Sequence, residues 1–94
     1  MSYFVYMLIG KKGSKLVTYV GYTKNLLLRL NSHNSNKGAK FTKGNKWKII
    51  YSKKFHKKKI ALNFEFKLKK NIKERKTIKN LYLNNKNINP TNYL

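Results

Sequence analysis

Two apolar runs of strand length sit five residues apart near the start of the chain: SYFVYMLIG (2–10) and LVTYVGY (16–22). Both are rich in β-branched and aromatic residues, and KKGSK between them is a turn. The reading is a β-hairpin around Gly13. Asn25 then caps a helix over LLLRLNSHN. Leu26, Leu30 and Leu27 are expected to face inward, while Arg29 and His33, four residues apart, share one face. SNKGAKFTKGNK (35–46) is polar and basic and reads as a loop or short helical turn. WKIIYSKKF (47–55) reads as a third strand. From Lys57 a helix follows, with Ile60, Ala61, Phe64, Leu68 and Ile72 on one face at helical period. Leu62 and Phe66 fall on another side, so this helix is expected to touch two layers. A last helix is expected from near Glu74 to about Leu83, with a tail that contains Pro90. The order of hairpin, helix, strand, helix, helix predicts an α/β (α+β) fold: a small three-stranded antiparallel sheet flanked by helices. Residues 1–84 are expected to form one domain and 85–94 a tail.

The charge is lopsided. There are 23 Lys and Arg residues against two Glu and no Asp, a formal net charge of +21 on 94 residues. Such a field makes polyanions the natural partners, nucleic acid first and anionic membrane second. With 40% hydrophobic residues spread along the chain, it is expected to fold rather than behave as a basic tail. No run of about 18 apolar residues offers a membrane span. The N-terminus lacks a basic leader and cleavage site. The expected location is therefore intracellular: the cytoplasm of a bacterium, or the nucleus or viral factory of a eukaryotic or viral system. Lys, Asn and Ile are jointly abundant, so a single Lys says little. The informative charged residues are Glu65, Glu74, Arg29 and Arg75, since all other basic residues are lysine.

The absent residues narrow the chemistry. Without Cys there is no disulfide, thiolate zinc site or cysteine nucleophile. Two histidines, His33 and His56, cannot build a zinc site. Two-metal hydrolysis needs several acids. Paired-carboxylate glycosidase chemistry would need Glu65 to face Glu74, which lies on a different predicted helix. No GxxxxGK[ST] loop occurs. A basic nuclease with one carboxylate survives these tests, because Mg²⁺ often takes one or two carboxylates and completes its shell with water and phosphate.

The ordered set FVY (4–6), YVG (19–21), RLNSHN (29–34), GAKFT (38–42) and ALNFE (61–65) resembles the GIY-YIG endonuclease family. FVY stands in the GIY place. The resemblance covers about residues 2–72 and is strongest to small stand-alone members. It is also strong to the catalytic domain of the eukaryotic structure-selective endonuclease that cuts Holliday junctions and flaps. That enzyme carries a zinc-binding RING-type domain, and this sequence has no Cys to form one.

The resemblance implies a Mg²⁺- or Mn²⁺-dependent DNA endonuclease using one ion. It implies cleavage of branched, flapped or partly single-stranded DNA, in repair or recombination. It implies that one of Tyr6 and Tyr19 takes the proton of the attacking water while the other positions water or phosphate, with Tyr6 favoured as base. A free tyrosine, with a pKa of about 10, is a poor base, so nearby cations are expected to lower it. Arg29 would bind the scissile phosphate, His33 would assist at the phosphate or polarise the nucleophile, and Glu65 would hold the metal. Gly21 would keep the second strand open beside the site. Tyr22, Asn34, Lys37, Lys40, Lys43 and Lys46 would track the DNA. A protein partner subunit, or a homodimer that masks the site, is left open.

Each residue also has a plainer role. Tyr6 and Tyr19 suit any strand, His33 any helix surface, and Glu65 an i,i+4 pair with Lys69 worth about 0.3–0.5 kcal/mol. His56 and Glu74 are given no catalytic role. Glu74 suits the positive end of a helix. A catalytically silent nucleic-acid-binding module keeping this fold is the alternative function. A ribosomal-type or membrane-surface protein would explain the charge but leave the ordered motifs unexplained.

Overall fold

A computed structural model describes residues 1–85. Its order is β1 (Tyr3–Lys12), β2 (Lys15–Thr23), α1 (Leu26–Asn34), a 3₁₀ turn (Lys40–Thr42), β3 (Trp47–Phe55), α2 (Lys58–Lys70) and α3 (Ile72–Asn85). The three strands form one antiparallel sheet in the order β2-β1-β3. The α+β fold expected from the sequence is therefore the fold observed. The tail beyond residue 85 lies outside the described residues. No helix among these residues is long and apolar enough to cross a membrane.

Gly13 makes the first turn possible. Lys12 pairs with Lys15, leaving Gly13 and Ser14 as a two-residue loop, and Gly13 has φ 63°. A first loop residue at positive φ suits Gly and matches the twist of the strands. On the other side of β1 the register shifts by one residue: Met7 pairs with Tyr51, but Leu8 pairs with Ile49. The extra residue, Ile50, is a β-bulge that fixes the pairing locally.

β1 lies in the centre, so both of its faces are covered. Val5 and Met7 pack with Val20, Ala61, Leu68 and Ile78, under α2 and α3. Tyr6 and Leu8 turn to the opposite face, where Trp47, Leu26, Leu30, Ile49 and Tyr19 surround them under α1. This period-two division puts a hydrophobic core on one side of β1 and a core containing tyrosine on the other.

The helices depart from expectation in specific places. Asn25 caps α1 as predicted, its side chain accepting from the Leu28 amide at 3.1 Å. Leu26 and Leu30 pack inward, but Leu27 is 73% exposed. On α2 the inward stripe is Ala61, Phe64 and Leu68, and Ile60 stands off it in solvent. Ile72 is not on α2. The helix stops at Lys70, and Asn71 accepts from the Glu74 amide at 2.9 Å to cap α3. α3 therefore starts before Glu74, which keeps its predicted place in the first turn. Leu62 and Phe66 are also exposed, so α2 touches one layer and not two. Phe64 packs on Phe55, with ring centroids 5.2 Å apart, whereas Phe66 is 58% exposed, with the Lys70 ammonium over its ring. Truncating Phe64 to Ala should cost about 2–4 kcal/mol and Phe66→Ala under about 1 kcal/mol, read as the difference in denaturant midpoints at constant m.

Candidate active site

Tyr6 sits opposite Gly21 in the β1–β2 ladder. A side chain at Gly21 would collide with the Tyr6 hydroxyl and its ring carbons. The glycine thus leaves the space that the phenol occupies. The phenol points beneath α1, and Arg29 and His33, one turn apart on that helix, both reach it. Arg29 Nε donates to the Tyr6 oxygen at 3.3 Å, and the Tyr6 hydroxyl lies 2.7 Å from His33 Nε2. Tyr19, opposite Leu8 on β2, sets its ring edgewise to His33 with centroids 5.1 Å apart and tilted to Tyr6 at 6.4 Å.

His33 is fully buried. Its other ring nitrogen, Nδ1, lies 2.8 Å from Thr42 Oγ1, and the Thr42 hydroxyl donates to Ala39 O at 2.9 Å. That hydroxyl proton is committed, so Oγ1 accepts from His33, and Nδ1 carries the ring proton. Nε2 is then bare and accepts from Tyr6. The result is one directed chain: Arg29 to Tyr6 to His33 to Thr42 to Ala39. Gly38 permits the close approach of this loop, since a side chain there would strike His33 Nδ1.

The ionisation states follow from burial. Desolvation pushes the Tyr6 hydroxyl up to about 12, only partly offset by the Arg29 hydrogen bond and charge. Nearby cations therefore fail to lower Tyr6 in the free protein, contrary to expectation, because a phenolate beneath the helix loses more hydration than one guanidinium returns. Burial, with the Arg29 charge, lowers His33 below its usual value, so the ring is neutral at pH 7. The hydrogen bond to Tyr6 favours the charged form of Arg29.

Glu65 projects from α2. Its charge contributes to holding Tyr6 protonated. Its carboxylate is 3.4 Å from Lys69 Nζ, the expected i,i+4 pair, and its side chain is only 17% exposed. Among the described residues no group of three or more His, Cys, Asp or Glu side chains could enclose a metal ion. One largely buried carboxylate suits an octahedral cation that takes its other ligands from water and phosphate, and does not suit a closed protein cage.

The structure brings Tyr6, Tyr19, Arg29 and His33 together. It separates others. Tyr22 faces the α2–α3 core and stacks on Tyr3 with centroids 6.2 Å apart. Asn34 spends both side-chain polar atoms on Trp47, accepting from its amide at 2.7 Å and donating to its carbonyl at 3.2 Å. It fastens the end of α1 to the start of β3. Lys46 Nζ donates to Asn34 O, while Lys37, Lys40 and Lys43 are exposed on the loop. The residues missed from the sequence are Thr42 and Gly38. A threonine in a polar loop carries no mark of burial, and only its contact with His33 gives it a role.

The unfolded histidine titrates near 6.5 and the folded one lower. The unfolded state therefore binds the extra proton, and stability falls as pH drops below about 6.5 toward the folded value. Urea unfolding at stepped pH should show this loss and should show less of it in His33→Gln. Imidazole ¹⁵N NMR at pH 7 should show a protonated Nδ1 and a bare Nε2; a protonated Nε2 would contradict the hydrogen-bond chain.

The GIY-YIG catalytic domain family matches residues 2–82. A UPF0213 protein of Oceanobacillus iheyensis is 44% identical over 52 residues, covering 54% of this chain and 60% of its own length. A UPF0213 protein of Bacillus licheniformis is 39% identical over 70 residues, covering 73% of this chain and 69% of its own. Protein L300 of Acanthamoeba polyphaga mimivirus is 42% identical over 72 residues, covering 71% of this chain and 43% of its own. The chain thus spans about three-fifths of the Oceanobacillus relative and less than half of the viral one. No solved structure matches. The chain belongs to the GIY-YIG family and carries the catalytic domain of those nucleases.

Proposed function

We propose that the chain is a DNA endonuclease that hydrolyses phosphodiester bonds with one Mg²⁺ or Mn²⁺ ion, selecting DNA by its shape in repair or recombination. The observation that carries this reading is the directed chain from Arg29 through Tyr6 to His33. A silent binding module has no use for a phenol held against a bare imidazole nitrogen. It would need only the lysines.

Tyr6 cannot supply a free phenolate at neutral pH, since its hydroxyl titrates near 12. It can act as a relay. As the Tyr6 oxygen takes a proton from the attacking water, its own proton passes to His33 Nε2, 2.7 Å away. His33 is neutral and able to accept it. The imidazolium formed keeps its Nδ1 proton on Thr42. In this reading His33 acts on water through Tyr6, since its full burial speaks against the expected contact with phosphate. Arg29 steadies the Tyr6 oxygen through Nε and also bonds to Tyr19, and its remaining donors would serve the phosphate charge that grows in the transition state. Tyr19 lies beside both, placed to orient water or phosphate. Glu65 would hold the ion, and the ion when bound supplies Lewis-acid stabilisation of phosphate oxygens. Lys69 lies against Oε2, and the carboxylate has a second oxygen to offer the ion. The exposed loop lysines Lys37, Lys40 and Lys43 would follow the backbone, with strong salt dependence.

Arg29→Ala should lower cleavage of branched DNA by at least about 10²-fold, and Tyr6→Phe by about 10²–10⁴-fold, with binding largely intact. Glu65→Gln should abolish metal-dependent cleavage; full activity in that variant would overturn the one-metal reading. Thr42 is a positioning residue. Thr42→Val removes the acceptor for Nδ1–H and should lower turnover about 10–100-fold with unchanged DNA affinity, and Thr42→Ser should restore it. Gel-based single-turnover assays on flap and four-way-junction DNA, with and without Mg²⁺, measure all of these.

A further inference from the structure

Beside the catalytic chain, at the β2 edge of the sheet, a cleft of about 250 Å³ is lined by Thr18, Tyr19, Val20, Phe41, Lys69 and Arg75. Four of these residues combine in an arrangement that proton transfer does not require. Phe41 is 43% exposed, although it is a large apolar side chain in a basic loop. It is also firmly held. Its ring stacks on Tyr19 at 6.1 Å and 19°, and Trp47 braces it at 5.9 Å. The 3₁₀ turn that carries it ends on Thr42, which is buried against His33. Lys12 Nζ stands 3.9 Å from the centre of the ring.

The far wall is cationic. Lys69 reaches from α2, and Arg75 reaches back from α3, one Nη donating to Lys69 O at 2.9 Å. Apart from Arg29, Arg75 is the only arginine in the chain. That hydrogen bond uses one of its five donors. A rigid aromatic platform facing a guanidinium and an ammonium, next to Tyr19 of the catalytic group, matches the parts of one nucleotide: a flat base and an anionic phosphate.

We infer that this cleft is a subsite for a nucleotide with an unpaired base, which stacks on Phe41 while Lys69 and Arg75 take its phosphate. The inference rests on the nuclease reading and names its substrate class. A base within a duplex has both faces covered and its edge paired, so it cannot reach Phe41. A base at a flap, fork or single-strand junction can. The half-buried Lys12 ammonium stands over the Phe41 ring without lining the cleft; its cation–π contact is weaker than base stacking, so an arriving base displaces it. In turning to the nucleotide's phosphate, Lys69 moves off Glu65.

The test uses the Glu65→Gln chain without divalent ions, so that binding is read without cleavage. The ligand is a short duplex with one unpaired 2-aminopurine at a single-strand junction. Its controls are the same junction with an abasic site and a fully paired duplex. Binding should quench the unpaired 2-aminopurine, and the unpaired-base ligand should bind about fivefold or more tightly than the abasic one. Adding Phe41→Ala should remove the quenching and bring the ratio close to one, leaving the paired duplex unaffected, while Phe41→Tyr keeps both. Arg75→Gln should reduce the slope of log affinity against log salt by about one contact's worth. Equal quenching in Phe41→Ala would overturn the inference. If that variant also loses paired-duplex binding, the ratio in the Phe41-containing protein decides alone, and a ratio near one overturns the subsite. The unsubstituted chain failing to cut any DNA with Mg²⁺ would overturn the nuclease reading instead, and would leave this measurement standing.

Discussion

The hydrogen bond from the Thr42 hydroxyl to Ala39 O decides what the rest of the site can do. It commits the only proton that Thr42 could offer, so His33 must present its own proton on Nδ1 and a lone pair on Nε2. Tyr6 must then donate, and Arg29 approaches an oxygen that has electrons to give. Were the Thr42 hydroxyl to donate to His33 Nδ1 instead, Nε2 would carry the ring proton and face the phenol as a donor, with no acceptor left for a proton. A backbone carbonyl in a basic loop thereby sets the direction of a chain that spans one strand, one helix and the 3₁₀ turn. The burial that makes His33 a neutral acceptor is the same burial that keeps Tyr6 protonated.

The strands and the succession of elements along the chain were readable because the signals are local. Strand-length apolar runs, a glycine at the hairpin and an asparagine before a leucine-rich helix each act within a few residues, and each appears where expected. Helix facing was less readable. Ile60, Leu62, Phe66 and Ile72 look like core on a helical wheel but are exposed, because α2 packs one narrow stripe on the sheet and ends before Ile72. In a sequence rich in lysine, asparagine and isoleucine throughout, isoleucine and leucine on the surface carry no contrasting signal. Asn71 marks the boundary only through the geometry of its side chain.

The site divides along the same line. Tyr6, Tyr19, Arg29 and His33 were singled out through the family resemblance of the ordered motifs, and the fold brings them together. Tyr22 was placed beside them by sequence adjacency, but alternation along β2 sends it to the opposite face. Asn34 looked like one more polar residue on the DNA path, yet a side-chain amide can satisfy an amide and a carbonyl at once, and Trp47 offers both. Thr42 could not be found without coordinates, since its role depends on a contact nine residues distant in sequence. Arg75 stood out in composition as one of two arginines, but only the fold shows which cleft it lines.

The central position of β1 carries one more consequence. Tyr6 is paired on both sides, to Gly21 and to Ser52, and the β3 pairing is keyed by the bulge at Ile50. Sliding β1 by one residue would carry Tyr6 into the apolar core and bring Val5 or Met7 under α1. It would also set Tyr6 against a residue that has a side chain. Misregistered chains therefore lose their packing as well as their chemistry. The protein has no folded, inactive register isomer at hand, and errors in strand pairing go to the unfolded pool, where they can be corrected or degraded.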